Sequence, residues 1–306
     1  MKFGSVFAGI GGFDLGLGRA GMECAWQIEI NDDATNILEK HWPDVVRCRD
    51  VLEFDGSERR WGIDVLCGGF PCQDVSLCGK KAWLAGDQSS LFWQFLRVAE
   101  ETGPRWIIVE SVGGLLTGNS GRDFAVVLCA LGECGYVCSY RFFDAQYFGV
   151  PQVRERVFVV GHLGQWEHPA RVLFDAESLR ERDRESGAER DRVAREVNEG
   201  TPFVFQTRIA RCKRGLPTSI LPTLTSYEGA GIHSDSKPHV VTKDGIRRLT
   251  ALEHERAMGF PDRWTAGLED RTRRMLLGNA VVPNVAEWIA RRIVQIDPPE
   301  NNSPNS

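Results

Sequence analysis

A cysteine lies in a conformationally constrained loop, in the stretch Gly68-Gly69-Phe70-Pro71-Cys72-Gln73. A β-type run at 63–67 leads into this loop, and the helix-prone run 89–101 follows a polar, glycine-containing gap. Glycines come shortly before Cys72, and the proline directly before it has a fixed φ angle. Ligands of open α/β sheets bind outside the carboxyl ends of the strands, so a thiol here is a candidate nucleophile. The alternative is that one of the nine cysteines simply lies in a loop.

A second group of residues suits an adenosine-bearing cofactor. A glycine-rich turn at 7–14 follows the first predicted strand. Glu29 ends the second strand, about 20 residues further on, where a carboxylate can accept both hydroxyls of a ribose. Asp50 ends the third strand-like piece and can accept from an adenine amino group. S-adenosylmethionine fits this set; spacing alone does not exclude NAD or FAD, and an ordinary turn with two surface acids is the alternative.

The literal G-x-G-x-x-G at 16–21 lies in the wrong place for a dinucleotide-binding motif. A dinucleotide-binding motif follows a strand and opens a helix. This match lies inside the predicted helix 13–20 and beyond its end, so it does not indicate dinucleotide binding.

Strands and helices that position these residues alternate along the chain. The hydrophobic pattern predicts strands at 2–7, 24–30, 45–51, 63–67, 106–110, 137–143 and 156–161. Helices are predicted at 13–20, from Asn31 and Asp32 through 37–40, and at 89–101 and 123–132, with helix-like spacing again at 249–260 and 269–294. This alternation, with polar residues at the strand ends, predicts an α/β fold with a doubly wound, mostly parallel sheet.

The composition is that of a globular protein without a membrane span. Of the 306 residues, 42% are hydrophobic and 26% are charged, and no apolar run reaches the roughly 20 residues that a spanning helix needs. The nine cysteines lack disulfide spacing and the six histidines are scattered, so we expect reduced thiols, a cytoplasmic location and no metal site. A net charge of −5 does not by itself indicate a nucleic-acid binder, so local clusters must be weighed separately.

The sequence changes character after His162. Residues 175–200 are densely charged with both signs, which is typical of a solvated helix or a mobile linker. Residues 201–247 are irregular and rich in Gly, Pro, Ser and Thr, which predicts a smaller, loop-rich second domain. Residues 297–306 are rich in Pro, Asn and Ser and are predicted to form a disordered tail.

Several motifs, read together, resemble the DNA (cytosine-5) methyltransferases over nearly the whole chain. The blocks, in the family's order, are Phe7-Ala8-Gly9-Ile10-Gly11-Gly12-Phe13, Glu29, Asp50, Gly69-Phe70-Pro71-Cys72-Gln73, Glu110-Ser111-Val112, Gln152-Val153-Arg154-Glu155-Arg156, Arg248-Leu249-Thr250 through Met258-Gly259-Phe260-Pro261-Asp262, and Gly278-Asn279-Ala280-Val281-Val282-Pro283. The resemblance implies a Rossmann-like catalytic domain at 1–165 and 266–296. It also implies a target-recognition domain at 166–265, inserted before the C-terminal helix.

The resemblance also assigns catalytic roles. Cytosine C5 is too weak a nucleophile to take a methyl group directly, and addition of a thiolate at C6 makes it an enamine carbon. Cys72 would be this nucleophile, and Glu110 would hydrogen-bond N3 and the exocyclic amine. Arg154 and Arg156, at i and i+2 on a predicted strand, would reach O2. Without the resemblance, a surface ion-pair row with Glu155 would be the simpler interpretation of the two arginines. The base must leave the duplex stack to be reached.

The implied cofactor is S-adenosylmethionine. The positions that match its site are Phe7, Gly9, Ile10, Gly12, Glu29, Ile30, Asp50, Pro71, Leu91 and Asn279. Three positions depart from the usual family pattern: Ser111 replaces an asparagine that braces the nucleophile loop, Ile30 replaces an aromatic residue against the adenine, and Gln88 replaces an arginine.

The implied partner is double-stranded DNA. A basic cluster and a Thr-Leu pair in the variable region are the candidate contacts: Arg208, Arg211, Lys213, Arg214, Thr223 and Leu224. We expect the protein to act as a monomer, without a membrane or a metal.

Three other functions stay open at this stage. A tRNA cytosine-5 methyltransferase would use the same catalytic block, although the recognition segment here is longer than the very short one expected of such enzymes. A nucleotide-binding protein or a flavin- or NAD-dependent oxidoreductase could use the same glycine turn, but it has no use for the Pro-Cys-Gln block. A catalytically silent DNA-binding regulator would not need the set of Cys72, Glu110, Arg154 and Arg156.

Overall fold

The computed structural model describes residues 1–58, 61–70, 91–174, 204–206, 221–225, 238–242 and 245–298. The candidate nucleophile Cys72, its neighbour Pro71 and Gln88 lie outside these ranges, as do the charged stretch 175–200 and the basic cluster at 208–214. No helix among the described residues is long and apolar enough to cross a membrane.

A seven-stranded sheet forms the centre of the protein. Its strands are β1 (Lys2–Val6), β2 (Glu23–Ile28), β3 (Val46–Cys48), β4 (Val65–Gly68), β5 (Trp106–Val112), β6 (Tyr136–Asp144) and β7 (Glu155–Leu163). Their order is β3-β2-β1-β4-β5-β7-β6; the first five run parallel, and β7 is antiparallel to both β5 and β6. The predicted doubly wound, mostly parallel sheet is confirmed.

Nine described helical segments accompany the strands. They are α1 (Gly12–Arg19), α2 (Asp32–His41), α3 (Leu91–Thr102), the single turn α4 (Gly114–Thr117), α5 (Arg122–Glu133), α6 (Glu167–Phe174), α7 (Ala251–Ala257), α8 (Asp270–Asn279) and α9 (Pro283–Ile296). Short 3₁₀ turns at Val51–Glu53, Gly118–Gly121 and Ala145–Phe148 link some of the strands and helices.

Local sequence signals explain where several helices begin. The Asn31 side chain accepts a hydrogen bond from the Ala34 N–H, so the predicted cap of α2 is confirmed. At α7, Thr250 and Glu253 form a capping box in which each side chain accepts from the other residue's backbone N–H. Pro283 occupies the first turn of α9, where its missing N–H has no cost.

Helices cover both faces of the sheet, and each face buries its own hydrophobic cluster. On one face, apolar residues of α1, α6 and α9 pack against Ile108, Phe158 and Val160. On the other face, α3 and α5 pack against Ile107 and Val109. Because side chains alternate along a strand, β5 contributes to both clusters, as expected for a buried central strand.

The proposed domain boundaries need adjustment at both ends of the variable region. Helix α6, assigned by the sequence to the recognition domain, buries Val172 and Leu173 against the main sheet's core. Trp264, also assigned to that domain, stacks on His41 of α2 with ring centroids 3.5 Å apart. We therefore propose that the inserted domain begins after Phe174 and ends before α7.

A small antiparallel sheet lies within the variable region. Its strands are β8 (Val204–Gln206), β9 (Pro238–Thr242) and β10 (Gly245–Arg248), in the order β10-β9-β8. This region was predicted to be loop-rich. That it forms a separate target-recognition domain stays a proposal.

The chain is fixed in place one residue past α9, which corrects the predicted start of the disordered tail at 297. The Asp297 carboxylate accepts hydrogen bonds from Arg105 Nη1 and from Trp106 Nε1, both at 2.9 Å. Trp106 begins the central strand β5 and is fully buried. Asp297 therefore joins the end of the last helix to the middle of the sheet.

We predict that Asp297→Ala lowers the free energy of unfolding by about 2 kcal/mol or more, because it removes a charged hydrogen bond and leaves the buried indole N–H unpaired. Urea denaturation followed by circular dichroism measures this change. Asp44→Ala, at an exposed turn position after α2, is the matched control and should change stability by less than about 0.5 kcal/mol. Equal stability of the two variants would contradict the anchoring role.

Candidate active site

A cavity of about 580 Å³ lies at the carboxyl ends of the parallel strands. That volume is in the range of small-molecule and cofactor sites. The residues around it include most of the predicted site: Phe7, Gly9, Gly12, Glu29, Ile30, Asp50, Leu91, Glu110, Arg154, Arg156 and Asn279. Residues from five strand ends and from the start of α3 and the end of α8 therefore meet in one space.

The glycine turn between β1 and α1 forms one wall of this cavity. Gly9 has a φ of 56°, in the left-handed region that favours glycine, and a Cβ atom there would meet open space. At Gly12 a Cβ atom would lie 2.3 Å from the Val281 carbonyl oxygen, so only glycine allows this close approach. The turn thus offers exposed backbone to a ligand while packing tightly behind.

Glu29 is oriented by backbone N–H groups. Its Oε2 accepts from the Gly9 N–H at 2.7 Å, and its Oε1 accepts from the Asn31 N–H at 2.8 Å. Asp50 is fixed in a similar way, since its Oδ1 accepts from the Leu52 N–H at 2.9 Å. Both carboxylates line the cavity and keep further lone pairs for a ligand, as a ribose or an adenine amino group would require.

Arg49 is a cavity residue that the sequence interpretation missed. Its guanidinium donates to the Ile30 carbonyl, the Thr35 hydroxyl and the Asp32 carboxylate. It thereby holds the loop after β2, in which Ile30 is 68% exposed and faces the cavity. The one available signal was a basic residue directly before Asp50.

Glu110 and Arg156 form an ion pair at the other end of the cavity, with Oε1 and Nε 3.1 Å apart. The pairing of β5 with antiparallel β7 places Val112 opposite Arg156. Glu110 lies two residues before Val112 on β5, so its side chain points to the same face of the sheet as that of Arg156. Burial raises the pKa of Glu110 above its ordinary value, and the nearby Arg156 only partly opposes this. The carboxyl group therefore ionises less readily than an exposed glutamate does, and it faces the cavity beside a guanidinium group.

Arg154 differs from its predicted role as a strand residue that acts on the base. It precedes β7, is 2% exposed, and donates to the carbonyl oxygens of Leu224, Gly278 and Ala280. Burial lowers the pKa of Arg154 to about 9, and the neighbouring Arg156 adds to this. Its guanidinium contacts the cavity, but most of its hydrogen bonds hold the backbone.

Ser111 is the position where the resemblance predicts a different side chain. Its hydroxyl is buried, lines the cavity, and has no hydrogen-bond partner among the described residues. Because neighbouring residues on a strand point to opposite faces, Ser111 faces away from Glu110. Its possible contact with the nucleophile loop lies outside the described residues.

Two predicted contacts are placed elsewhere. Ile10 does not line the cavity; its side chain is buried, and its carbonyl accepts from Trp264 Nε1 at 2.9 Å. Leu224 was predicted to face DNA, but its side chain is fully buried. Thr223 is only partly buried, and its hydroxyl donates to the Val153 carbonyl at 2.7 Å.

The other predicted residues lie outside the described ranges. These are Cys72, Pro71, Arg208, Arg211, Lys213 and Arg214. Gly69 and Phe70, which immediately precede Pro71, line the cavity. No group of three or more His, Cys, Asp or Glu side chains in the described part of the chain is arranged to hold a metal ion.

Comparisons with known proteins agree on one family. The family model described as C-5 cytosine-specific DNA methylase matches residues 1–179 and 179–295. The Type II methyltransferase M2.BsuMI of Bacillus subtilis (strain 168) is 30% identical over 308 aligned positions, covering 96% of this chain and 76% of that protein. M.HhaI of Haemophilus parahaemolyticus is 27% identical over 96% of this chain and 94% of its own length.

A solved structure shows the same fold at low sequence identity. The crystal structure of the S. pombe Dnmt2 methyltransferase superposes with a TM-score of 0.70 and 16% identity. It covers 96% of this chain, and this chain covers 98% of it.

We predict a pH-dependent effect of Glu110→Gln on stability. A carboxyl group with a raised pKa stabilises the folded state below its ordinary pKa of 4.5, and this contribution is lost as the pH rises through the folded-state value. Glutamine does not ionise. The unfolding free energy of the variant minus that of the wild type should therefore increase as the pH rises above 4.5, and then level off.

Urea denaturation from about pH 4 to about pH 8 measures this difference. Glu39→Gln, on the exposed face of α2, is the control and is measured over the same pH range. A difference for Glu110→Gln that stays flat or falls with pH would show that Glu110 does not have a raised pKa.

Proposed function

The chain belongs to the C-5 cytosine-specific DNA methylase family, and from this premise we propose that it transfers a methyl group from S-adenosylmethionine to C5 of a cytosine extruded from duplex DNA. The observation that carries this proposal is the single cavity that joins Glu29 and the glycine turn at one end to the Glu110–Arg156 pair at the other. A cofactor site and a base site that share one space are what a direct methyl transfer requires.

The residues present fit S-adenosylmethionine. When bound, this cofactor supplies an electrophilic methyl group. Glu29 would accept the ribose hydroxyls, Asp50 would accept from the adenine amino group, and the exposed Ile30 would cover the adenine ring. The open space beside Gly9 is a second sign of fit, because a side chain there would enter the ligand's volume.

Glu110 would act on the target base through a hydrogen bond. Addition of the Cys72 thiolate at C6 moves electron density onto N3 and O2 of the ring. A hydrogen bond between the Glu110 carboxyl group and N3 would stabilise this density, and C5 of the resulting enamine would be the nucleophile for the methyl group that the cofactor supplies. The raised pKa of Glu110 supports this role, because it favours the protonated carboxyl group, which can donate a hydrogen bond.

Arg156 would hold both Glu110 and the base. Its guanidinium lies within hydrogen-bond distance of Glu110 and borders the cavity, so a free N–H can reach O2 of a ring seated there. Loss of the C5 proton to a water molecule and elimination of the thiolate would then release the methylated base and regenerate Cys72. Each bond formed to the enzyme is broken again, as covalent catalysis requires.

The described cysteines support Cys72 as the nucleophile. None of Cys24, Cys48, Cys67, Cys134 and Cys138 lines the cavity, and burial raises the pKa of each thiol. A raised pKa reduces the thiolate fraction on which reactivity depends. We further propose that the protein acts in the cytoplasm as a monomer, on its own duplex target.

We predict that Cys72→Ser lowers methyl incorporation into duplex DNA by at least about a thousandfold, because the nucleophile is lost. Duplex DNA containing 5-fluorocytosine should trap the wild type as a covalent complex on a denaturing gel, whereas the variant should form none. Cys129→Ser, at an exposed position of α5, is the matched control and should behave as the wild type. Full activity of Cys72→Ser would exclude the proposed mechanism.

The nucleic-acid class is tested in the same assay. Methyl incorporation into genomic duplex DNA is compared with incorporation into bulk tRNA, and bisulfite sequencing then locates the modified cytosine. Incorporation into tRNA alone would replace the DNA substrate with the tRNA alternative and leave the cysteine chemistry intact.

We predict that Glu29→Gln weakens binding of S-adenosylhomocysteine by about tenfold to about a hundredfold, because a charged acceptor of the ribose hydroxyls becomes neutral. Isothermal titration calorimetry on the full chain measures this loss. Glu23→Gln is the control: it lies at the start of the same strand, pairs with Lys2 at the surface, and should bind as the wild type does. Equal affinities in the two variants would remove Glu29 from the site.

A further inference from the structure

One guanidinium group joins two separate backbone segments at the cavity. Arg154 Nη1 donates to the Leu224 carbonyl at 2.8 Å. Its Nη2 donates to the carbonyls of Gly278 and Ala280 at 3.1 and 2.8 Å. The first segment belongs to the variable region, and the second forms the end of α8. No other side chain among the described residues is recorded as donating to both segments.

The first segment, 221–225, is attached to the chain just before β7. The Leu221 N–H donates to the Pro151 carbonyl at 2.7 Å, and the Val153 N–H donates to the Leu221 carbonyl at 2.8 Å. The buried Gln152 side chain accepts from the Leu224 N–H at 3.0 Å. These hydrogen bonds hold the segment against 151–153, directly before Arg154. Thr225, at the end of the segment, is exposed.

The second segment carries a cofactor-binding candidate. Asn279 ends α8 and lines the cavity, and the two carbonyls held by Arg154 belong to its immediate neighbours in the chain. Any displacement of the Arg154 guanidinium therefore acts on the backbone on both sides of Asn279.

Burial makes the hydrogen bonds of this bridge costly to break. Arg154 is 2% exposed, and its Nε has no hydrogen-bond partner among the described residues. A shift of either segment away from it would break hydrogen bonds of an almost fully buried guanidinium and leave its N–H groups and the carbonyl groups unpaired. The low-energy response is for both segments to move together with the guanidinium.

We propose that Arg154 is a positioning residue that couples binding of duplex DNA at segment 221–225 to binding of the cofactor beside Asn279. This rests on the proposed function, since it takes the variable region as the DNA-binding side and the cavity as the cofactor site. Such coupling is reciprocal: DNA tightens cofactor binding by the same factor by which the cofactor tightens DNA binding.

The test is a binding cycle on the full chain. The dissociation constant of S-adenosylhomocysteine is measured by calorimetry with and without a duplex that contains the target found by bisulfite sequencing. For the wild type we expect the duplex to tighten binding by at least about fivefold. Arg154→Lys keeps the charge but lacks the planar fork that reaches acceptors on two segments, so this factor should fall to about one.

Arg292→Lys is the matched control. Arg292 also donates to two backbone carbonyls, those of Val172 and Arg171, but it does not line the active-site cavity. Its coupling factor and its methylation rate should equal those of the wild type. An unchanged coupling factor in Arg154→Lys would overturn the proposal, as would the absence of coupling in a wild type that methylates DNA.

Hydrogen exchange on the wild type gives a second measurement that does not depend on the variant's folding. Adding the duplex alone should slow exchange of the amides at 278–281, and adding S-adenosylhomocysteine alone should slow those at 221–224. Protection confined to each ligand's own segment would overturn the coupling. Failure of the proposed function registers separately, as a lack of methyl incorporation by the wild type.

Discussion

The direction of β7 is the constraint on which the active site depends. The first five strands of the sheet run parallel, so the residues that follow them gather at one edge. β7 is antiparallel to β5, and its beginning therefore lies at that same edge. For this reason Arg156, near the start of β7, can contact Glu110, near the end of β5. A parallel β7 would place the arginines at the opposite end of the sheet.

Three buried or largely buried carboxyl groups differ in their hydrogen-bond partners and in their access to the cavity. Glu255 is fully buried, but Arg273 and Thr265 satisfy it, so it braces the chain between α7 and α8. Asp14 accepts from a serine, a glutamine and a cysteine beneath the glycine turn, and burial raises its pKa. Only Glu110 combines a raised pKa with a place in the cavity wall. Perturbation of a pKa alone would not have separated Glu110 from Asp14.

The sequence carried most of the sheet and the cofactor wall because those features are local. Periodicity predicts strands and helices, and a carboxylate such as Glu29 or Asp50 is recognised by its position at a strand end. What the sequence could not supply is contacts between distant segments. The indole of Trp264 binds a carbonyl 254 residues away, and Arg154 reaches carbonyls 70 and 126 residues away. Backbone carbonyl acceptors are the same at every residue, so no residue type marks them in advance.

The same reasoning explains why Arg154 and Arg156 have different surroundings. Arg156 borders the cavity and forms an ion pair with Glu110, so its charge is paired and its remaining N–H groups can serve a ligand. Arg154 lies two residues earlier, where the chain is enclosed by 221–224 and 278–280, and its guanidinium donates to three backbone carbonyl groups. A buried cation held in this way is costly to move, because its three acceptors belong to two separate backbone segments and it would lose some of them. Identical side chains two positions apart thus have different contacts: Arg156 pairs with a carboxylate at the cavity, and Arg154 holds two backbone segments together.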